Sequence, residues 1–92
     1  MEITWDDRKE AENIKKHGVD FDEAATVVLN PLSMYRLNKH QSGNRFEYIG
    51  HSDRDRELYV VTVEEHDNQA HILSAREAES HERKEYKDGR EN

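Results

Sequence analysis

Residues 45–75 read RFEYIGHSDRDRELYVVTVEEHDNQAHILSA, and this stretch decides the fold. Phe46, Tyr48 and Gly50 alternate with Arg45, Glu47 and Ile49, the period-two pattern of a strand with two different faces. Ser52–Arg56 is a charged turn. Leu58–Val63 is β-branched and nearly continuous in apolar residues, as a central strand requires. His66–Gln69 is a polar turn, and Ala70–Ala75 is a further strand. Upstream, Ser33–Leu37 reads as a strand joined to Arg45–His51 by the polar segment Asn38–Asn44. The centre of the chain is thus a four-strand meander, which implies antiparallel pairing.

The flanks have a different period. Glu2–Trp5 suggests a short opening strand, with Ile3 and Trp5 on one side of the pleat. Asp6 can cap a helix running to about His17, and Gly18 supplies a left-handed exit. Asp20 begins a second helix, where Glu23 completes a capping-box pattern. Its expected buried face is Phe21, Ala24, Ala25, Val28 and Leu29, and Pro31 prevents continuation. Glu77–Lys87 is rich in helix formers and is expected to end at Gly89. The fold class is α+β: one domain over 1–92, with an antiparallel β-sheet, two N-terminal helices and one C-terminal helix.

Composition narrows the function classes. The 92 residues are 33% hydrophobic and 38% charged, with a formal net charge of −7. A chain this short buries a modest core. The acidity argues against a protein that grips a polyanion over its whole surface, so a nucleic-acid site must be a local basic cleft. Residues 61–75 contain acids and no Lys or Arg. There is no cysteine, which excludes disulfides, thiolate metal sites and a cysteine nucleophile, and fits a reducing, cytoplasmic setting. No leader pattern or membrane-length apolar run is visible. The six histidines are scattered without a ligand spacing, so no metal site is expected. No cofactor motif is present either; glycine-rich phosphate loops and serine-nucleophile elbows are missing.

Short motifs recur in order along the chain. They are Trp5-Asp6, then Lys16-His17-Gly18-Val19-Asp20-Phe21, then Arg45-Phe46-Glu47-Tyr48-Ile49-Gly50. Ile72-Leu73-Ser74-Ala75-Arg76-Glu77-Ala78 follows, and Glu82-Arg83 with Tyr86 completes the series. In these segments the sequence resembles the BrnT toxin family, from Trp5 to Tyr86. The resemblance implies a RelE-like α+β fold and ribonuclease activity without a metal. It also implies neutralisation by a BrnA-type antitoxin and operator DNA bound only through that antitoxin. A homodimer or a toxin–antitoxin heterotetramer is the assembly expected.

The same residues have a physical reading. Metal-free RNA cleavage needs activation of the ribose 2′-OH, charge stabilisation at phosphate and protonation of the leaving oxygen. Arg45, Arg76 and Arg83 offer planar forks to phosphate oxygens. Arg76 and Arg83 share a helix face if the helix begins near Arg76, with Tyr86 beside Arg83. Tyr86 either stacks on a base or donates a proton, or else packs on the sheet. His17 is the acid or base candidate, or a side chain that favours the helix C-terminus. Lys15 and Lys16 are RNA-contact candidates with ordinary surface lysine as the alternative. Arg45, at a strand start beside Glu47, has cross-strand ion pairing as its alternative. The rival function is a non-catalytic antitoxin-binding module, a toxin that has lost cleavage and kept its partner surface.

Overall fold

The computed structural model describes residues 1–40, 43–66 and 68–91. The elements are β1 (Glu2–Trp5), α1 (Asp7–His17), α2 (Phe21–Leu29), β2 (Met34–His40), β3 (Gly43–His51), β4 (Glu57–His66), β5 (Gln69–Glu77) and α3 (Ser80–Glu91). The five strands form one sheet in the order β1-β5-β4-β3-β2. The β2 to β5 meander is antiparallel as the alternation demands. β1 adds a parallel pairing to β5, Ile3 opposite Ala70 and Trp5 opposite Ile72, so the whole sheet is mixed. That pairing is non-local, and no residue pattern within β1 announces it. Of the expected polar turns, Gln41, Ser42 and Asp67 lie outside the described residues.

Cap chemistry sets the two N-terminal helices. The Asp6 carboxylate accepts from the Arg8 and Lys9 amides, and Gly18 leaves α1 at φ 68°, the left-handed exit expected of it. Asp20 caps α2 by accepting from the Glu23 amide at 2.8 Å. The return half of the capping box is not made. Glu23 is turned inward, and the Phe21 amide, another free donor of the helix start, donates to Glu10 at 2.8 Å. The buried face of α2 is Phe21, Glu23, Ala24, Val27 and Val28. Leu29, expected in that face, is exposed, because the helix ends there and its last side chain projects past the sheet.

The two sheet faces are unequal. One packs α1 and α2 through Val19, Phe21, Ala24, Val27, Tyr48, Leu58, Val60, Ala70, Ile72 and Ala75. Trp5 closes this core edge-on to Phe21, ring centroids 6.2 Å apart. The opposite face holds a smaller cluster in which Ala78 and Tyr86 meet Ile49, Met34 and Tyr59. A register shift in β5 near Leu73 lets both Ala75 and Ile72 point into the main core. The C-terminal helix differs from expectation at both ends. It begins at Ser80, since strand pairing holds residues as far as Glu77, and it continues through Gly89. Arg76 is therefore a strand residue, and the helix face it was to share with Arg83 does not exist.

Candidate functional site

The corner between β5 and α3 gathers the charged residues of the smaller face. Arg76 lies opposite Tyr59 in the register, and its guanidinium sits 4.4 Å above that ring. It donates to both carboxylate oxygens of Glu82, at 2.8 and 2.9 Å, and to the Glu77 carbonyl. Glu82 is 3% exposed and also accepts from the Glu79 amide at 2.8 Å. That bond satisfies an orphan donor at the start of α3. Burial pushes the Glu82 carboxyl up, but Arg76 and the Glu79 amide outweigh it and hold the group below the ordinary carboxyl range. Tyr59 donates to Glu47; burial first, and that carboxylate second, raise its hydroxyl well above the usual phenol. Glu47 also accepts from Arg36, which pairs with Glu85 at 2.7 Å. The strand end, the helix start and the sheet are thereby joined by charge-assisted bonds.

Arg83 is placed differently. Its Nε donates to the Ala78 carbonyl at 3.0 Å, and the side chain is exposed in the first turn of α3. Among the described residues its two terminal nitrogens make no hydrogen bond or ion pair. One edge of the fork is thus anchored while the other faces solvent. Tyr86 is 3% exposed, packed against His51 with ring centroids 5.6 Å apart and its hydroxyl 3.4 Å from His51 Nδ1. Its ring is buried in the smaller cluster on the sheet, the arrangement described by the packing alternative. Arg45 is half-buried on the same face as Arg76, between Asn38 and Val63 in the register. Four residues along and two strands across separate it from Arg76, roughly 16 Å between backbones at standard spacings.

Lys15, Lys16 and His17 form the exposed last turn of α1, where positive charge complements the helix dipole. Asn13 fixes the position of this turn. Its amide donates to the Ala75 carbonyl at 2.8 Å and the Val19 carbonyl at 2.9 Å, while its oxygen accepts from the Ala75 amide. Helix α1 therefore runs along the edge of β5 that β1 leaves free, and Asn13 completes the strand's bonding there. The Gly18 carbonyl accepts from Arg56 at 3.1 Å, and the Ala78 amide donates to the Glu57 carbonyl. His17, Arg76 and the start of α3 are thus drawn to one end of the sheet, the end carrying the 52–56 turn. Arg45 lies toward the other end.

That turn is held by a cluster the sequence pattern did not reveal. Glu23, 1% exposed, accepts from the Ser52 hydroxyl at 2.6 Å and pairs with Arg56 through two bonds. Arg54 donates to Asp20 at 2.8 Å. Hydrogen bonding to Arg56 outweighs burial and keeps the Glu23 carboxyl below its ordinary value. Tyr59, Glu47, Glu82 and Asn13 were also missed. An S/T-x-x-E-like spacing, Glu79 to Glu82, was the one local signal available for Glu82. Among the described residues, two acidic groupings have ligand atoms within 4.8 Å of one another: Glu79–His81–Glu82 and Glu10–Asp20–Asp22. Glu82 is engaged by Arg76, and Glu10 and Asp20 by helix-start amides. Among the described residues no helix is long and apolar enough to cross a membrane.

Comparison with known proteins completes this picture. No curated protein matches the chain. The crystal structure of the Brucella abortus ribonuclease toxin BrnT shares the fold, with a TM-score of 0.64 at 23% identity, over 87% of this chain and 99% of that one. The family described as "Ribonuclease toxin, BrnT, of type II toxin-antitoxin system" matches residues 5–82. That span runs from Trp5 to the buried Glu82 and takes in the β2 to β5 meander entire with both N-terminal helices, so the chain belongs to the BrnT family of type II toxin–antitoxin ribonuclease toxins.

Proposed function

We propose that this chain is a metal-independent endoribonuclease whose site lies at the end of the sheet where β5, the start of α3 and the end of α1 meet. The observation that carries the placement is Arg83, anchored through Nε to the Ala78 carbonyl with its terminal nitrogens turned to solvent. A planar fork held on one edge is suited to two oxygens of a phosphodiester. The ribose 2′-hydroxyl gives up its proton as its oxygen attacks phosphorus, the bond to the 5′-oxygen breaks, and that oxygen takes a proton. A 2′,3′-cyclic phosphate and a 5′-hydroxyl result. His17 serves as general acid or base at this end of the sheet, and Lys15 and Lys16 contact the strand. Arg45 meets the RNA farther along the open face. Arg76, saturated by Glu82, positions the start of α3 rather than binding phosphate, and Tyr86 anchors α3 to the sheet. The inhibitor is a BrnA-type antitoxin, through which alone the complex reaches operator DNA.

The test is purified protein on RNA with a chelator present. Cleavage with cyclic-phosphate ends is expected, reduced about 10²–10³-fold in Arg83→Ala, the loss typical of removing one charge-stabilising donor. Equal cleavage by Arg83→Ala refutes that assignment, and loss of cleavage on chelation refutes metal independence. A second reading, a non-catalytic partner-binding module, is favoured by the exposed Leu29, Leu32, Tyr35 and Leu37, which lie away from this site. Growth arrest on induced expression separates the two.

A further inference from the structure

Cleavage of the proposed kind moves two protons, one off the 2′-hydroxyl and one onto the 5′-oxygen, and His17 accounts for one of them. A second histidine stands on the face that bears Arg83. His51 ends β3 two residues after the buried Ile49, so its ring is directed to the smaller face. Tyr86 packs against it there, ring centroids 5.6 Å apart. Tyr86 follows Arg83 by three positions on α3, which makes the two neighbours on the helix surface. The backbone repeats the link. Glu57 is the register partner of His51, its carbonyl accepts from the Ala78 amide at 2.9 Å, and the Ala78 carbonyl anchors Arg83. Imidazole and guanidinium thus flank one buried tyrosine, and both reach solvent, the His51 side chain being 36% exposed.

The two ring nitrogens of His51 have different surroundings. Nδ1 lies 3.4 Å from the hydroxyl of the buried Tyr86. Nε2 lies 3.5 Å from the carboxylate of Glu57, whose side chain is 30% exposed. With Nδ1–H donating to the tyrosine oxygen, Nε2 carries the lone pair on the side a substrate can reach. A proton taken up there forms a charge-assisted bond to Glu57. Among the described residues the ionisable groups facing the ring are Glu57 from β4 and Tyr86 from α3, with Arg83 one turn before Tyr86. We infer that His51 is the general base of the cleavage. Its Nε2 takes the 2′-hydroxyl proton as that oxygen bonds to the phosphorus held by Arg83, and protonated His17 gives its proton to the departing 5′-oxygen. The C-terminal end of α1 favours a cation, which suits His17 to the acid role. Both histidines flank one segment: the Gly18 carbonyl, next to His17, accepts from Arg56 at 3.1 Å, and Glu57 follows Arg56. Solvent returns each ring to its starting state. The inference rests on the nuclease reading.

The experiment assays the full chain on RNA from acid to alkaline pH. His51→Gln, which keeps hydrogen-bonding capacity and loses proton exchange, should cut cleavage about 10²-fold or more and remove the acid limb of the pH–rate profile. A uridine 3′-nitrophenyl phosphate, whose leaving group departs without a proton, separates base from acid. On it His51→Gln should remain impaired while His17→Ala approaches the wild-type rate. Binding is read without cleavage: a 2′-O-methyl oligoribonucleotide lacks the attacking hydroxyl and should shift the ring resonances of His51 in the wild-type chain. Cleavage by His51→Gln within about twofold of wild type, an unchanged acid limb, or His51 resonances that stay in place overturns the assignment. A wild-type chain that cleaves no RNA refutes the nuclease reading and this inference with it. Wild-type cleavage that survives His51→Gln refutes this inference alone.

Discussion

Replacing Arg76 with alanine separates a structural arginine from a phosphate ligand. The substitution removes two bonds to Glu82, at 2.8 and 2.9 Å, and the 4.4 Å contact over Tyr59. It leaves the Glu82 carboxylate, 5% exposed at the side chain, with one backbone donor. Stripping one partner from a buried ion pair costs about 3–5 kcal/mol. Arg76 is 30% exposed, so water reaches the vacated space and the lower end applies. The contact with Tyr59 adds about 0.5–1 kcal/mol. The sum is about 3–4 kcal/mol, which for a domain of this size lowers Tm by on the order of 15–25 °C. Urea titration followed by circular dichroism reads it directly, with an unchanged slope as the sign that the folded state alone is affected. Adding Glu82→Gln to Arg76→Ala should recover about 1–2 kcal/mol, because a neutral amide is easier to bury than an orphaned carboxylate. A variant within about 0.5 kcal/mol of wild type that nevertheless cleaves no RNA would refute the reasoning and return Arg76 to the phosphate.

Three further outcomes follow from the geometry. Glu23 has a lowered carboxyl in the fold, so its contribution is full above the ordinary value of 4.5 and is lost as pH falls through the folded value. Glu23→Gln should therefore be less stable than wild type at pH 7, with a flatter decline in acid, as measured by denaturant midpoints across pH. Asn13→Ala removes three buried bonds and orphans the Ala75 amide and carbonyl, costing about 2–4 kcal/mol; exchange of the Ala75 amide should accelerate most. His17→Ala should alter the pH profile of RNA cleavage while leaving thermal stability nearly unchanged, the side chain being exposed. An unaltered profile would remove His17 from the chemistry.

Local signals in the sequence were enough for every helix and strand and for the α+β class. Alternation in 45–51, the apolar run in 58–63, the Asp6 and Asp20 caps and the Gly18 exit each act over a few residues, and each recurs in the structure. The ordered motifs likewise identified the family, because they survive as a linear pattern. Tertiary structure decided which residues meet. β1 joins β5 across the whole chain, and Asn13 satisfies a strand 62 positions away. Glu23 leaves its helix cap for Ser52 and Arg56 because a buried carboxylate needs strong donors. The candidate site turned on the same distinction. Arg76 and Arg83 are equivalent cations when read along the chain. Only the fold, by ending β5 at Glu77 and starting α3 at Ser80, clamps one between carboxylate oxygens and leaves the other's terminal nitrogens facing water.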